Sequence, residues 1–249
     1  MIKILVCAIV GLFWGSFIGA FKDRLNAPKS FLVGRSQCPK CKKNLGFADL
    51  IPVFGYIMLG GKCRFCRQPI SLYYPILEIL CAALAVITCL YFSLTVSSVF
   101  LFVSLSFLVL SALADIEDQE VDLALFIIGI VSAVTYLLLS GNSLLNALYG
   151  ALSYALIPFL LFIVSREKWM GLGDTFFALW AGILVGFPQS IAMIFVAFFL
   201  GAMFGIIKLL LSAASHRIAF GPFLAVSAIV GVLCSKSVLD FLQVFLLRR

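Results

Sequence analysis

The sequence predicts an all-α protein: a polytopic transmembrane helix bundle of about eight spans with one small cytoplasmic four-cysteine module. Two observations predict this class. The chain is 63% hydrophobic and 12% charged, whereas a soluble domain is about half apolar and a quarter charged. Its apolar residues also form long continuous runs that do not alternate with polar residues, which favours helices over a transmembrane barrel.

The apolar runs give the order of the predicted helices, since each span needs roughly 20 apolar residues. The first run lacks a good cleavage site and is followed at once by Lys22, Asp23 and Arg24, so it is interpreted as a retained span. The amphipathic stretch 236–249 either lies on the membrane surface or extends the eighth span. The predicted spans are 2–21, 74–94, 96–114, 123–140, 144–164, 175–187, 189–212 and 219–235.

The distribution of charge predicts the orientation. The net charge is +7, and ten of the 18 Lys and Arg residues lie between residues 22 and 67. Basic segments beside membrane spans stay in the cytoplasm. The sequence therefore predicts a first span (1–21), a cytoplasmic module (22–73) and a transmembrane core (74–249). Nucleic-acid binding is not predicted, because the chain has no basic soluble domain, and the sequence gives no oligomeric state.

Two aspartates are the main candidates for catalysis. Asp115 follows the third predicted span, and Asp174 ends the stretch Gly171-Leu172-Gly173-Asp174 before the sixth span. Both fall on the cytoplasmic side, and a carboxylate beside a bilayer is costly because the charged form loses hydration. Two carboxyls close together can share a proton and act as base and acid. The alternative is that both are helix-terminal residues, with Asp174 as an N-cap.

Four of the eight cysteines form two pairs in the basic module. Cys38-x-x-Cys41 and Cys63-x-x-Cys66 are separated by 21 residues, a spacing typical of a four-cysteine zinc site. The predicted cytoplasmic location argues against disulfides. The zinc is expected to be structural, because four thiolates leave no open position for water. The alternative is four free thiols.

Gly171-Leu172-Gly173-Asp174 resembles the signature of the membrane aspartic peptidases that include presenilin-like enzymes and prepilin peptidases. The rest of the chain resembles the bacterial prepilin leader peptidases. The matching stretches, in chain order, are Gly11-Leu12-Phe13-Trp14-Gly15-Ser16-Phe17, Arg24-Leu25, Cys38-Pro39-Lys40-Cys41, Ile51-Pro52-Val53, Gly61-Lys62-Cys63-Arg64-Phe65-Cys66, Pro69-Ile70-Ser71, Tyr74-Pro75, Glu78, Asp115-Ile116-Glu117 and Phe220-Gly221-Pro222-Phe223-Leu224.

The resemblance implies an activity. It implies a multi-pass enzyme of the bacterial inner membrane that removes the basic leader of type IV prepilins or pseudopilins after a glycine, with Asp115 and Asp174 as the catalytic pair and its active site facing the cytoplasm. Membrane lipid is the other expected partner. The resemblance also implies N-methylation of the new N-terminal residue with S-adenosylmethionine, and it associates Gly61 and Lys62 with that activity. No Rossmann-type glycine loop is present, so the methyl-donor assignment depends on the resemblance alone.

The acidic residues beside Asp115 are the only acidic cluster in a basic chain. Glu117, Asp118 and Glu120 are hypothesised to attract the basic leader, since opposite charges steer encounter, and the alternative is a solvated loop. Asp122 belongs to the same cluster. It lies in Val121-Asp122-Leu123, where the family usually has an apolar residue, a proline, and then Asp or Asn, and this chain lacks the proline. Glu78 and His216 are interpreted as structural or surface residues, and an Arg or Lys of the cysteine module is a candidate partner for Glu78.

Three other functions stay open at this point. The chain can be a peptidase without methyltransferase activity. It can be a non-catalytic membrane assembly protein that uses the zinc module to bind partners. A transporter is the third, but the chain lacks the paired broken helices that would support it.

Overall fold

The computed structural model describes residues 2–25, 37–38, 40–118, 122–211 and 218–234. The regular elements within these ranges are helical, apart from two isolated β-bridges, which confirms the predicted all-α class. Residues Phe47–Leu50 form one short 3-10 turn. The α-helices are α1 (Ile2–Leu25), α2 (Phe54–Met58), α3 (Tyr73–Tyr91), α4 (Val96–Asp118), α5 (Leu123–Ser140), α6 (Leu144–Ser165), α7 (Leu172–Val185), α8 (Gln189–Leu210) and α9 (Gly221–Leu233).

Each of the eight predicted apolar runs forms a helix, but the helices differ in length. Within the described residues, six are long and apolar enough to cross a membrane: α1, α3, α4, α5, α6 and α8. Helices α7 and α9 have 14 and 13 residues. At 1.5 Å per residue they extend about 20 Å, less than the hydrocarbon core of about 30 Å. The predicted stretch 236–249 lies outside the described residues.

The chain divides into two compact units, Met1–Ser98 and Val99–Arg249. The first unit contains α1, the cysteine module, α2 and α3. Helix α1 continues to Leu25, and α3 begins at Tyr73, close to the predicted limits of the module. The boundaries 1–21, 22–73 and 74–249 for the functional parts of the chain stay a prediction.

Helices α1 and α3 of the first unit pack through a row of glycines at every fourth position. A Cβ atom at Gly11 would lie 2.6 Å from the Cα atom of Ala82, and one at Gly15 would lie 2.7 Å from the Cα atom of Glu78. Gly19 continues the row against Leu77. Small residues spaced in this way let two membrane helices approach at the backbone. The row is visible in the sequence as a signal for close helix packing.

We expect Gly11→Leu to lower the free energy of unfolding by about 1–3 kcal/mol, because its side chain would meet the α3 backbone and force the helices apart. Equilibrium unfolding in mixed detergent micelles measures the change. Val10→Leu is the matched control, since Val10 is 56% exposed on the same helix. Equal stability of the two variants would contradict the close packing.

Helix α7 forms the centre of the second unit. Trp180 is fully buried and donates from Nε1 to the Ser104 hydroxyl of α4 over 2.9 Å. The Ser104 hydroxyl in turn donates to the carbonyl oxygen of Gly129 in α5 over 2.9 Å, and the Trp180 ring fills the space where a Gly129 side chain would lie. This buried chain of hydrogen bonds fixes α4, α5 and α7 to one another.

Helix α9 is held to α6 by a buried tyrosine. The Tyr154 hydroxyl donates to the carbonyl oxygen of Leu224 over 3.2 Å and also forms a short hydrogen bond with the hydroxyl of Ser227. Helix α9 begins only three residues before Leu224, at Gly221. Tyr154 therefore fixes the first turn of α9.

Candidate active site and four-cysteine cluster

Asp115 lies in the last turn of α4. The helix continues to Asp118, beyond the predicted end of the span at residue 114, because no glycine or proline interrupts it there. The half-buried carboxylate accepts a hydrogen bond at Oδ2 from the backbone N–H of Gly221, over 2.9 Å. Gly221 is the first residue of α9, so Asp115 lies at the positive end of that helix.

Asp174 lies in the first turn of α7. Its Oδ2 atom accepts a hydrogen bond from the backbone N–H of Gly171 over 3.1 Å. Gly171, not Asp174, is the N-cap residue, and Asp174 is the third residue of the helix, where it reaches back as in a capping box. Asp174 thus stabilises the start of α7, and Gly171 and Asp174 of the Gly171-Leu172-Gly173-Asp174 stretch both have a capping role.

The two carboxyls interact electrostatically. Asp174 precedes the apolar run 175–187 and lies outside the six candidate spans. Burial and, to a smaller extent, the negative charge of Asp115 raise the pKa of the Asp174 carboxyl to about 6, although the Gly171 N–H opposes the rise. The two carboxyls are therefore near enough to influence each other's ionisation. Two like charges near each other disfavour the ionisation of both carboxyls at once.

The acidic residues beside Asp115 have different environments. Glu117 is exposed in the last turn of α4, and Asp118 ends that helix. Asp122 is the N-cap of α5, and its Oδ1 atom accepts from the backbone N–H of Ala124 over 2.9 Å. Glu120 and His216 lie outside the described residues. One member of the predicted cluster, Asp122, therefore has a clear structural role.

The four cysteines of the first unit come together in two similar knuckles. In the first, the N–H of Lys42 donates to the carbonyl oxygen of Cys38 over 2.9 Å, and in the second the N–H of Arg67 donates to that of Cys63 over 2.9 Å. Lys42 and Arg67 both have left-handed backbones, with φ of 57° and 56°. Each C-x-x-C pair is therefore folded into the same tight turn.

The sulfur atoms of Cys38, Cys41, Cys63 and Cys66 all lie within 4.8 Å of one another. The sulfurs of Cys38 and Cys66 are 3.8 Å apart. In a tetrahedral site with Zn–S bonds of about 2.3 Å, neighbouring sulfurs are about 3.8 Å apart. The four side chains therefore fit a zinc ion.

Gly61 and Lys62 lead directly into the second knuckle. The N–H of Gly61 donates to the carbonyl oxygen of Tyr56 over 2.9 Å, and Lys62 forms a bridge with Pro69. Gly61 has a φ of +68°, and a Cβ atom there would lie 2.8 Å from the Tyr56 hydroxyl. The position therefore requires glycine for folding, whatever its role in chemistry.

The regions that match known protein families make up most of the chain. Residues 9–92 match the bacterial peptidase A24 N-terminal domain, and residues 102–206 match the type IV leader peptidase family. A prepilin leader peptidase/N-methyltransferase of Dichelobacter nodosus is 30% identical over 213 residues, which are 83% of this chain and 72% of that protein. The chain belongs to the type IV leader peptidase family. The resemblance seen in the sequence motifs is thereby confirmed.

Other members of the family match over a similar length. The prepilin leader peptidase/N-methyltransferase of Bacillus subtilis (strain 168) is 28% identical over 242 residues, 94% of this chain and 95% of that protein. The protein of the same name from Legionella pneumophila is 27% identical over 216 residues, 83% of this chain and 75% of its own length. No solved structure gives a significant match.

Two contacts at these sites were not predicted from the sequence. The first is the hydrogen bond from Gly221 to Asp115, although the stretch around Gly221 was among the family matches. The second concerns Glu78, which accepts from the backbone N–H of Val53 over 2.7 Å and from the Ser16 side chain. An Arg or Lys was the candidate partner of Glu78, whereas its carboxylate ties the cysteine module to α1 and α3 through a backbone amide and a hydroxyl.

Proposed function

We propose that this member of the family is a membrane aspartic endopeptidase that removes the basic leader of type IV prepilins or pseudopilins at the cytoplasmic face of the bacterial inner membrane. The observation that carries the proposal is the electrostatic pairing of Asp115 and Asp174 at the end of α4 and the start of α7. The family name and the relatives' names support the substrate class. The concentration of basic residues between 22 and 67 supports the cytoplasmic orientation.

The proposed chemistry uses the pair with one proton. Asp115, which accepts the Gly221 N–H, is the ionised base, and Asp174 retains the proton. Asp115 takes a proton from water as the water oxygen bonds to the scissile carbonyl carbon, while Asp174 gives its proton to the carbonyl oxygen. As the resulting diol collapses, one of its hydroxyls returns a proton to Asp174, the C–N bond breaks, and the leaving amine takes the proton held by Asp115.

One assay tests the activity. Detergent-solubilised protein is incubated with a prepilin and the product is followed by mass spectrometry. Loss of a leader that ends in glycine supports the peptidase, and an additional methyl group on the new terminus supports the second activity. An intact prepilin, with folded enzyme, would favour the non-catalytic assembly protein.

We propose that Glu117 attracts the basic leader, together with Asp118 and Glu120. Glu117→Lys should raise KM for a prepilin at low salt with little effect on kcat, because the charge steers encounter and takes no part in bond breaking. The increase should shrink as salt is added, since screening weakens exposed charges. Glu167→Lys is the control, because Glu167 is also an exposed carboxylate before α7. The same change in KM for both variants would indicate a nonspecific charge effect.

We also propose that the protein N-methylates the new N-terminal residue, as the names of its relatives state for those proteins. S-adenosylmethionine would supply the methyl group. The proposed residues of this chain are Gly61 and Lys62, whose turn is fixed against Tyr56 and the second knuckle. A structural zinc ion held by Cys38, Cys41, Cys63 and Cys66 would order this turn.

We expect Cys41→Ser to release the zinc and to lower methylation strongly while prepilin cleavage continues. A thiolate ligand lost from a structural zinc site removes much of the folding free energy of the module. Elemental analysis measures the metal, and mass spectrometry of the product separates cleavage from methylation. Cys234→Ser is the control, since Cys234 is exposed at the end of α9. Normal methylation by zinc-free Cys41→Ser protein would contradict the proposed role.

A further inference from the structure

Helix α2 presents an apolar face that stays exposed among the described residues. Phe54, Ile57 and Met58 are 65%, 66% and 75% exposed, and their spacing places them on one side of the helix. The opposite side faces the module, where the space beside Gly55 is filled by the backbone of the preceding 3-10 turn. Large apolar side chains clustered on one surface are typical of a membrane or protein contact.

The start of α2 is fixed to a residue within a membrane span. Its N-cap, Val53, donates its backbone N–H to Glu78 over 2.7 Å. Glu78 lies five residues after Tyr73, the first residue of the candidate span α3, which corresponds to about 7.5 Å along the helix. Helix α2 therefore begins level with the first turns of the candidate span α3.

The backbone at Val53 is held in a strained turn. Val53 has φ 61° and ψ −49°, and the N–H of Phe54 donates to the carbonyl oxygen of Pro52 over 2.6 Å. This is a γ-turn of the rare kind, and a β-branched residue seldom adopts a positive φ. The hydrogen bond to buried Glu78 stabilises this strained turn. The same contact therefore sets the position of α2 along α3.

The module around α2 is strongly basic. Its only acidic residue between positions 37 and 72 is Asp49, whose carboxylate is paired with Arg64 at 2.7 Å. Basic residues beside a bilayer are attracted to anionic headgroups. The basic residues of this segment are Lys40, Lys42, Lys43, Lys62, Arg64 and Arg67.

We propose that α2 is an interfacial anchor, whose face of Phe54, Ile57 and Met58 inserts at the headgroup–acyl boundary of an anionic bilayer. The position that Glu78 sets along α3, the apolar face and the surrounding basic charge all favour lipid as the occupant. The anchor holds the cysteine module flat against the membrane between α1 and α3. It does not depend on the proposed peptidase or methyltransferase activity.

Tryptophan fluorescence tests the anchor in the full-length protein. Ile57→Trp and Met58→Trp variants are reconstituted in vesicles of phosphatidylglycerol and phosphatidylcholine, and the signal of the parent protein is subtracted. Lipids brominated near the headgroup end of the acyl chain should quench both new tryptophans, and aqueous acrylamide should not. Quenching by the brominated lipid should weaken in phosphatidylcholine alone, because the basic residues lose their anionic partners.

A Gln68→Trp variant serves as the reference, since Gln68 is exposed in the second knuckle. Unchanged thermal unfolding midpoints establish that the variants fold. Quenching of the two α2 tryptophans by acrylamide, to the same extent as in Gln68→Trp, would overturn the proposal because the face would then be in water. Protection from both quenchers would also overturn it, since a second copy or another protein segment would then cover the face. Equal quenching in the two lipid mixtures would overturn the requirement for anionic lipid.

Discussion

Asp115→Asn and Asp174→Asn should each lower kcat for prepilin cleavage by about 10³-fold or more, while the protein stays folded. An amide can neither take a proton from water nor supply the one that the pair shares. Asparagine keeps the size of the side chain, and its carbonyl oxygen can still accept the N–H of Gly221 or Gly171. The loss should therefore appear in catalysis and not in stability.

Single-turnover cleavage followed by mass spectrometry measures the loss, beside a thermal unfolding curve for each variant. Asp122→Asn is the matched control. It makes the same chemical change a few residues from Asp115, and asparagine is as good an N-cap as aspartate. If Asp115→Asn and Asp174→Asn both cleave at the rate of Asp122→Asn, the proposed mechanism is wrong.

The pH profile of the parent enzyme gives an independent measure of the same pair. Burial and the charge of Asp115 raise the pKa of Asp174 to about 6. Asp174 acts in its protonated form, so kcat/KM should fall as the pH rises through this value, by about tenfold per pH unit once the proton is mostly lost. The apparent pKa belongs to the pair and not to one residue. A rate that rises steadily between pH 6 and pH 8 would contradict the assignment of Asp174 as the acid.

The features that could be predicted from the sequence are those that depend on residues close together in the chain. The apolar runs predict the eight helices because a span is specified by hydropathy alone. The spacing of Cys38, Cys41, Cys63 and Cys66 predicts the sulfur cluster, since each C-x-x-C turn is folded within a few residues. Helix length was less predictable for α9, where the predicted run 219–235 forms a helix of 13 residues. The run 175–187 was already short, and α7 is bounded by Gly171 and Gly186.

The features that could not be predicted depend on contacts between distant residues. Gly221 and Asp115 are 106 residues apart in the chain, so no spacing links them. One of the two partners of Glu78 is a backbone amide, made available by the unusual conformation of Val53. The backbone conformation of Val53 and the availability of its N–H cannot be read from the types of the side chains. The capping role of Asp174 is intermediate: it was predicted as an N-cap, but it lies in the first turn, and its reach back to Gly171 depends on where the helix begins.

Gly221→Ala should lower kcat/KM for prepilin cleavage by about 10²-fold with little change in stability, because a small displacement of a reacting group is enough to cost that much. A Cβ atom at this position would lie 2.7 Å from Oδ2 of Asp115 and 3.3 Å from its Cγ. The obstructed group is the end of a side chain, so the carboxylate can rotate away at low cost to folding. Gly221 needs no left-handed backbone, and alanine keeps the N–H that Asp115 accepts. The substitution therefore displaces the Asp115 carboxylate but keeps the backbone N–H that donates to it.

Gly231→Ala on the same helix separates crowding from catalysis. A Cβ atom at Gly231 would lie 2.7 Å from the Cγ atom of Met193, the same distance from another flexible side chain but outside the candidate site. It should therefore cleave prepilin at nearly the parental rate. Tyr154→Phe is a second way to displace α9, since it removes the hydroxyl that fixes the first turn of this helix. We expect it to lower kcat by less than Gly221→Ala does and to leave KM unchanged. If Gly221→Ala and Gly231→Ala lose equal activity, the contact between α9 and Asp115 contributes to packing and not to the reaction.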